Sequence, residues 1–95
     1  MAKIIKWLNG EIEDSIVPKN GTDFKLDELT EHVGCISVQP IYLNDGSVMW
    51  IDENGKFFQP ENYNAAATKL LVEAGGLPGD YIVGDAFICK NSEVL

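Results

Sequence analysis

Two glycine turns, Asp45-Gly46 and Asn54-Gly55, interrupt the apolar stretch over residues 35–59, CISVQPIYLNDGSVMWIDENGKFFQ, and no other feature narrows the possible folds as much. Each dipeptide suits the left-handed φ values of a two-residue type I′ hairpin. The stretch therefore predicts three short strands joined by two tight turns. In that register Asn44 faces Ser47, Leu43 faces Val48 and Ile41 faces Trp50. Beyond the second turn Glu53 faces Lys56 and Asp52 faces Phe57. Alternation with period two then sorts the side chains. Ile41, Leu43, Val48, Trp50 and Phe57 take one face; Val38, Pro40, Tyr42, Met49, Ile51 and Phe58 take the other. Both faces are apolar, so the sheet is expected to be covered twice, by a helix on one side and a further layer on the other.

The flanking segments read as partners for that sheet. Residues 3–17 predict another hairpin about Asn9-Gly10, with Leu8 facing Glu11, Trp7 facing Ile12, Lys6 facing Glu13 and Lys3 facing Ile16. Pro18 ends the strand because it cannot donate to a ladder, and Lys19-Asn20-Gly21 makes a loop. Leu26, Leu29 and Val33 recur at helical spacing, with Asp27 and Glu28 in the first turn and Gly34 at the stop, which predicts a short helix over about 26–33. His32 falls in its last turn, where a cation is favoured, and that reading outweighs catalysis or metal binding. AAATKLLVEAGG predicts the longer helix, over about 64–74, capped by Asn62 or Asn64 and carrying an apolar stripe of Ala67, Leu70, Leu71 and Ala74. Leu77-Pro78-Gly79-Asp80 reads as a turn. Residues 81–89 read as a last strand with a bulge at Gly84-Asp85, and 91–95 as a frayed tail. The expected fold is α+β, a single domain over 1–95, built on an antiparallel sheet of about five to six strands.

Charge and composition bear on function mainly by exclusion. A formal net charge of −8, seven lysines and no arginine argue against direct nucleic-acid binding, which rests on clustered cations. There is no run of eighteen apolar residues and no signal-peptide pattern, so no membrane contact and a cytoplasmic setting in a bacterial host are expected. In that setting Cys35 and Cys89 read as two reduced thiols acting as small hydrophobes. The serines lie in strand, turn or tail, and a single histidine cannot serve both a triad and a metal site. Two cysteines and one histidine without C-x-x-C or H-x-x-x-H spacing fall short of a zinc site, and D-E-N-G lacks the alternate spacing of a calcium loop. No cofactor, no metal and no enzyme activity are expected.

Two ligand candidates remain. Asn62, Tyr63, Asn64 and Thr68 gather amides, a ring and free N–H groups at a helix start, which suits an anionic or nucleotide-like ligand; the competing reading is a plain N-cap. Trp50 and Tyr42 could stack on a base, against the competing reading that they are core.

The succession D27-E-L-T-E-H-V33-G34, Y42-L-N-D-G46, I51-D-E-N-G55-K, P60 with N64-x-x-A67-T68, and Y81-I-V-G84-D85-A-F resembles a phage- and mobile-element-borne domain of unknown function over about residues 26–88. Cys35 stands where that family tends to carry a second glycine, and the 60–64 segment is longer. The resemblance implies context: accessory proteins of phages acting on host functions or defence, with no catalytic residues to carry over. Together with the surplus apolar face, it leads to the expectation of a non-enzymatic, homo-oligomeric binding protein that sequesters a nucleotide-like small molecule. The alternative is an acidic inhibitor or nucleic-acid mimic blocking a host enzyme, its partner then being a host protein. Its acids are scattered, not laid out in phosphate-spaced rows.

Overall fold

The strand that runs through the middle of the sheet comes from the far end of the chain. The computed structural model describes residues 2–10, 12–76 and 79–94. Five strands, β1 (Ala2–Ile5), β2 (Ile12–Ile16), β3 (Val38–Tyr42), β4 (Ser47–Asp52) and β5 (Ala86–Lys90), form one sheet in the order β2-β1-β5-β4-β3, every pair antiparallel. Three α-helices lie among the described residues: α1 (Leu26–Val33), α2 (Gly55–Phe58) and α3 (Ala65–Glu73). The fold is α+β.

Each face of the sheet has its own core, as the doubly apolar pattern requires. On one side α1 lays Leu29 and Val33 against Ile4, Val48, Phe87 and Cys89, with Phe24 filling the space beside Phe87 at a ring separation of 4.9 Å. On the other side α3 lays Ala67 and Leu71 against Ile5, Met49, Ala86 and Ile88, joined by Ile82. Small residues on α3 let its axis approach closely, and the two helices together supply the covering that a both-sides-apolar sheet needs. α1 ends as expected: Gly34, at φ 76°, donates its N–H to the Thr30 carbonyl at 2.8 Å.

Several expectations need correction. Asn54-Gly55 does not turn a hairpin; it starts α2, with the Asn54 carbonyl accepting from the Phe57 and Phe58 N–H groups at 3.0 Å each. There is no third strand after β4, and β5 takes the neighbouring place. The reason is tertiary. Gly55 is buried against Val83, where an added Cβ would come within 2.6 Å of Val83 Cγ2, so this glycine serves close approach and not a left-handed turn.

The Asp45-Gly46 turn is a hairpin, but its loop has three residues, closed by Leu43 N–H to the Ser47 carbonyl at 2.9 Å. Asp45 folds its carboxylate back onto the Ser47 N–H at 3.0 Å, and only Gly46, at φ 85°, is left-handed. The extra residue shifts the register by one. Tyr42 pairs with Val48, Ile41 with Met49 and Pro40 with Trp50. Ile41, Leu43, Met49 and Ile51 therefore share the α3 side, and Val38, Val48 and Trp50 the α1 side.

The first hairpin is looser than two-residue chemistry predicts: Ile5 pairs with Ile12 and Ile4 with Glu13, and the register slips before Ala2 meets Ile16. Trp7 is drawn out of the ladder because its N–H donates to Asp85 Oδ1 at 3.0 Å. Lys6 and Glu13 still approach to 3.7 Å. The expected Leu8–Glu11 pairing, the 77–78 turn and Leu95 lie outside the described residues. Strand β5 begins only at Ala86; residues 81–85 are irregular, joined to the segment before α3 by an isolated antiparallel Tyr63–Val83 bridge. The segment 91–94 is no frayed tail: a 3₁₀ turn, Asn91–Glu93, leads Val94 into a bridge with Phe24.

Because both sheet faces are covered from within the chain, an uncovered face no longer argues for a partner. Apolar side chains still open to solvent include Ile36, 90% exposed, with Phe57, Phe58, Leu8 and Leu26.

Candidate functional site

The start of α3 assembles the four residues singled out there, yet engages the polar side chains of Asn62, Asn64 and Thr68 internally. Asn64 is completely buried. Its Oδ1 accepts the Ala67 N–H at 3.0 Å, and its amide nitrogen donates to the Ile5 carbonyl at 3.0 Å and the Gly84 carbonyl at 2.9 Å. One side chain thus ties a helix start, the end of β1 and the 81–85 segment together. Thr68 accepts the Ile82 N–H at 2.9 Å, and Asn62 donates to Gln59, which in turn donates to Asp52, each at 2.9 Å. Tyr63 is half exposed, its ring 6.1 Å from that of Tyr81.

Trp50 and Tyr42 lie on the other side of the sheet. Trp50 packs against the Phe87 core, and Tyr42 is exposed at the end of β3. The six candidates therefore form two separate groups. The buried Trp50 Nε1 reaches no hydrogen-bond partner. Burial pushes the Cys89 thiol up to about 11, against a smaller opposing influence of the Trp50 indole. Burial likewise raises the Cys35 thiol, with Asp52 adding to the effect, so neither sulfur is set up as a nucleophile.

A sizeable concavity lies elsewhere, at the end of the α3-side face beyond the helix. It has a volume of about 440 Å³ and includes Lys3, Ser15, Leu43, Ser47, Leu70, Ile88 and Lys90, with Asp14 and Asp45 at its edge. Strand register explains the assembly. Lys3 pairs with Ile88 across β1 and β5, and Ser47 pairs with Lys90 across β4 and β5, so side chains from three strands meet on one face. Leu43 reaches it from the β3–β4 loop and Leu70 from α3.

The polar edge is ordered in part. Asp45 accepts from both the hydroxyl and the N–H of Ser47, which holds its carboxyl below the usual carboxylate range, with Lys3 contributing. Neither Lys3 nor Lys90 makes an ion pair with a carboxylate among the described residues. Ser15 is the one described non-glycine residue with positive φ, at 65°. Such a backbone is uncommon outside glycine and is worth attention where it borders a cavity.

Chemically, this is an apolar floor with two ammonium groups and two hydroxyls above it. The Ser15 hydroxyl donates to Asp14 Oδ1 at 3.3 Å and the Ser47 hydroxyl to Asp45 Oδ1, and no histidine is among the described residues that line the cavity. Among the described residues no three His, Cys, Asp or Glu side chains converge on a metal position, and no helix is long and apolar enough to cross a membrane. None of the six residues singled out from the sequence lines the cavity. A signal was present, since two of only seven lysines fall here, but seeing it requires β1 and β5 to be known as neighbours.

A second, smaller concavity of about 330 Å³ lies between the end of α1 and α2, lined by Cys35, Ile36, Phe58 and Gln59 among others.

Residues 10–94 match the model of a family described as a domain of unknown function, DUF3846. No curated protein and no solved structure matches the chain.

Proposed function

We propose, for a chain that belongs to the DUF3846 family of unknown function, that it is a non-enzymatic binding protein that takes a small anionic, nucleotide-like molecule into the cavity between Lys3, Lys90 and the end of α3. One observation carries the reading: a chain of net charge −8 presents two lysines, in no ion pair among the described residues, over an apolar floor in a concavity of about 440 Å³. Ligand sites are mostly apolar concavities with a few convergent polar groups, and this one has that composition. Ammonium groups that form no close ion pair among the described residues are the natural counter-charges for an anion.

The family resemblance supplies the setting. A phage or mobile-element protein of this size would act on host functions or defence by withdrawing a small molecule from the host cytoplasm. Copies of the chain would meet through the exposed Phe57, Phe58 and Ile36, since apolar groups left in water on a small protein commonly mark contacts.

Isothermal titration and thermal-shift measurement against a panel of nucleosides, nucleotides and other small anions test the binding reading. Saturable heat that disappears in the Lys3→Glu, Lys90→Glu double variant is the expected result, and silence across the panel removes the reading. Native mass spectrometry reads both a co-purifying ligand and the number of subunits; a monomer at micromolar concentration would remove the oligomeric part.

A further inference from the structure

We infer that the group this cavity takes is a single phosphate ester on a flat, mainly apolar body, a nucleoside monophosphate in type, with the phosphate between Lys3 and Lys90. The inference rests on the binding reading above and narrows its ligand.

Register sets the spacing of the two cations. Lys3 lies directly opposite Ile88, and Lys90 is two residues further along β5 on the same face. Diagonal neighbours of that kind stand about 7–8 Å apart, close enough for two long, flexible ammonium side chains to converge on one phosphate. They reach it over the Ile88 side chain, which is buried at the base of the cavity.

The surrounding charge limits the anion. Asp14 and Asp45 border the same cavity, so its four charged groups sum to zero within a chain of −8. One phosphate is matched by the two lysines. Each additional phosphate would add negative charge to a cavity that already holds two carboxylates, with no further lining cation to offset it. A ligand without phosphate would leave both ammonium groups without their partner.

Leu43, Leu70 and Ile88 offer aliphatic surface to one face of a ring, with no aromatic side chain beside them. The volume of about 440 Å³ lies toward the small end of the roughly 300–1,000 Å³ typical of such sites, which favours one base over two.

The test is calorimetric titration of the full chain, at low and at physiological salt, with a nucleoside, its monophosphate and its triphosphate, repeated for each base. The monophosphate is expected to bind at least about tenfold more tightly than the nucleoside, since hydrogen bonds to charged groups are the stronger ones. Lys3→Gln and Lys90→Gln should each remove most of that difference. Lys69→Gln, on the exposed side of α3, should leave it unchanged. Circular dichroism of each variant confirms folding.

A nucleoside that binds as tightly as its monophosphate overturns the phosphate assignment while leaving a ligand site in place. A triphosphate that binds more tightly overturns it too. Absence of binding by every nucleoside, nucleotide and other small anion overturns the binding reading itself.

Discussion

Asn64 shows how a polar side chain that looks available in the sequence can be fully engaged in the fold. It caps α3 and saturates two carbonyls that belong to other segments. Asn64→Ala should cost about 3 kcal/mol, from a lost cap and two buried carbonyls left unpaired, measured by urea unfolding. A loss below about 1 kcal/mol would show that water replaces the amide easily. Gly55→Ala should cost about 1–3 kcal/mol by forcing Cβ against Val83, whereas in a type I′ turn the cost of alanine would come from its left-handed φ. Cys89 gives the fold an alkaline limit. Its folded pKa, about 11, lies above the value near 9 of a free thiol, so the protonated form is favoured in the native state. Its contribution is therefore complete below pH 9 and is lost as pH rises from about 9 through 11. Unfolding free energy of the native chain should fall more steeply across that window than that of Cys89→Ala; parallel curves would refute the assignment.

At the scale of elements, strand position decides local stability. β5 is central and almost wholly buried, while β2 is an edge strand with one ladder, a register slip and mainly exposed side chains. Hydrogen exchange should protect β5 amides most and β2 amides least, with β2 opening well below the global unfolding free energy. Equal protection of the two strands would contradict this. The same edge carries Ser15 and Asp14 to the cavity, so a bound ligand should slow exchange in β2 more than in β3. Helices α1 and α3 were legible in the sequence because capping chemistry is local: Gly34 closes α1 and Asn64 opens α3 at the expected places. The β3–β4 register was not. A two-residue and a three-residue loop about Asp45-Gly46 differ only in which residues turn left-handed, and the side-chain bond from Asp45 to Ser47 selects the longer one.

At the scale of the whole molecule, chain ends meet in the middle. β5 bridges the N-terminal hairpin to the β3–β4 hairpin, and Phe24 closes over Phe87 from beside α1. A chain cut after Asp85 should lose both cores together and show no cooperative thermal transition; a cooperative melt would mean that the two hairpins fold without their bridge. What the residues by themselves determined is the class of fold: α+β, with two helices at stated places and a sheet apolar on both faces. These follow from periodicity, caps and turn chemistry, which act over a few neighbours along the chain. Strand order, the helical fate of Asn54-Gly55 and the placing of Lys3 beside Lys90 were decided only in three dimensions. Each depends on which distant surfaces exclude water together, and the pairing of β1 with β5 joins residues from opposite ends of the chain that carry no mark of one another.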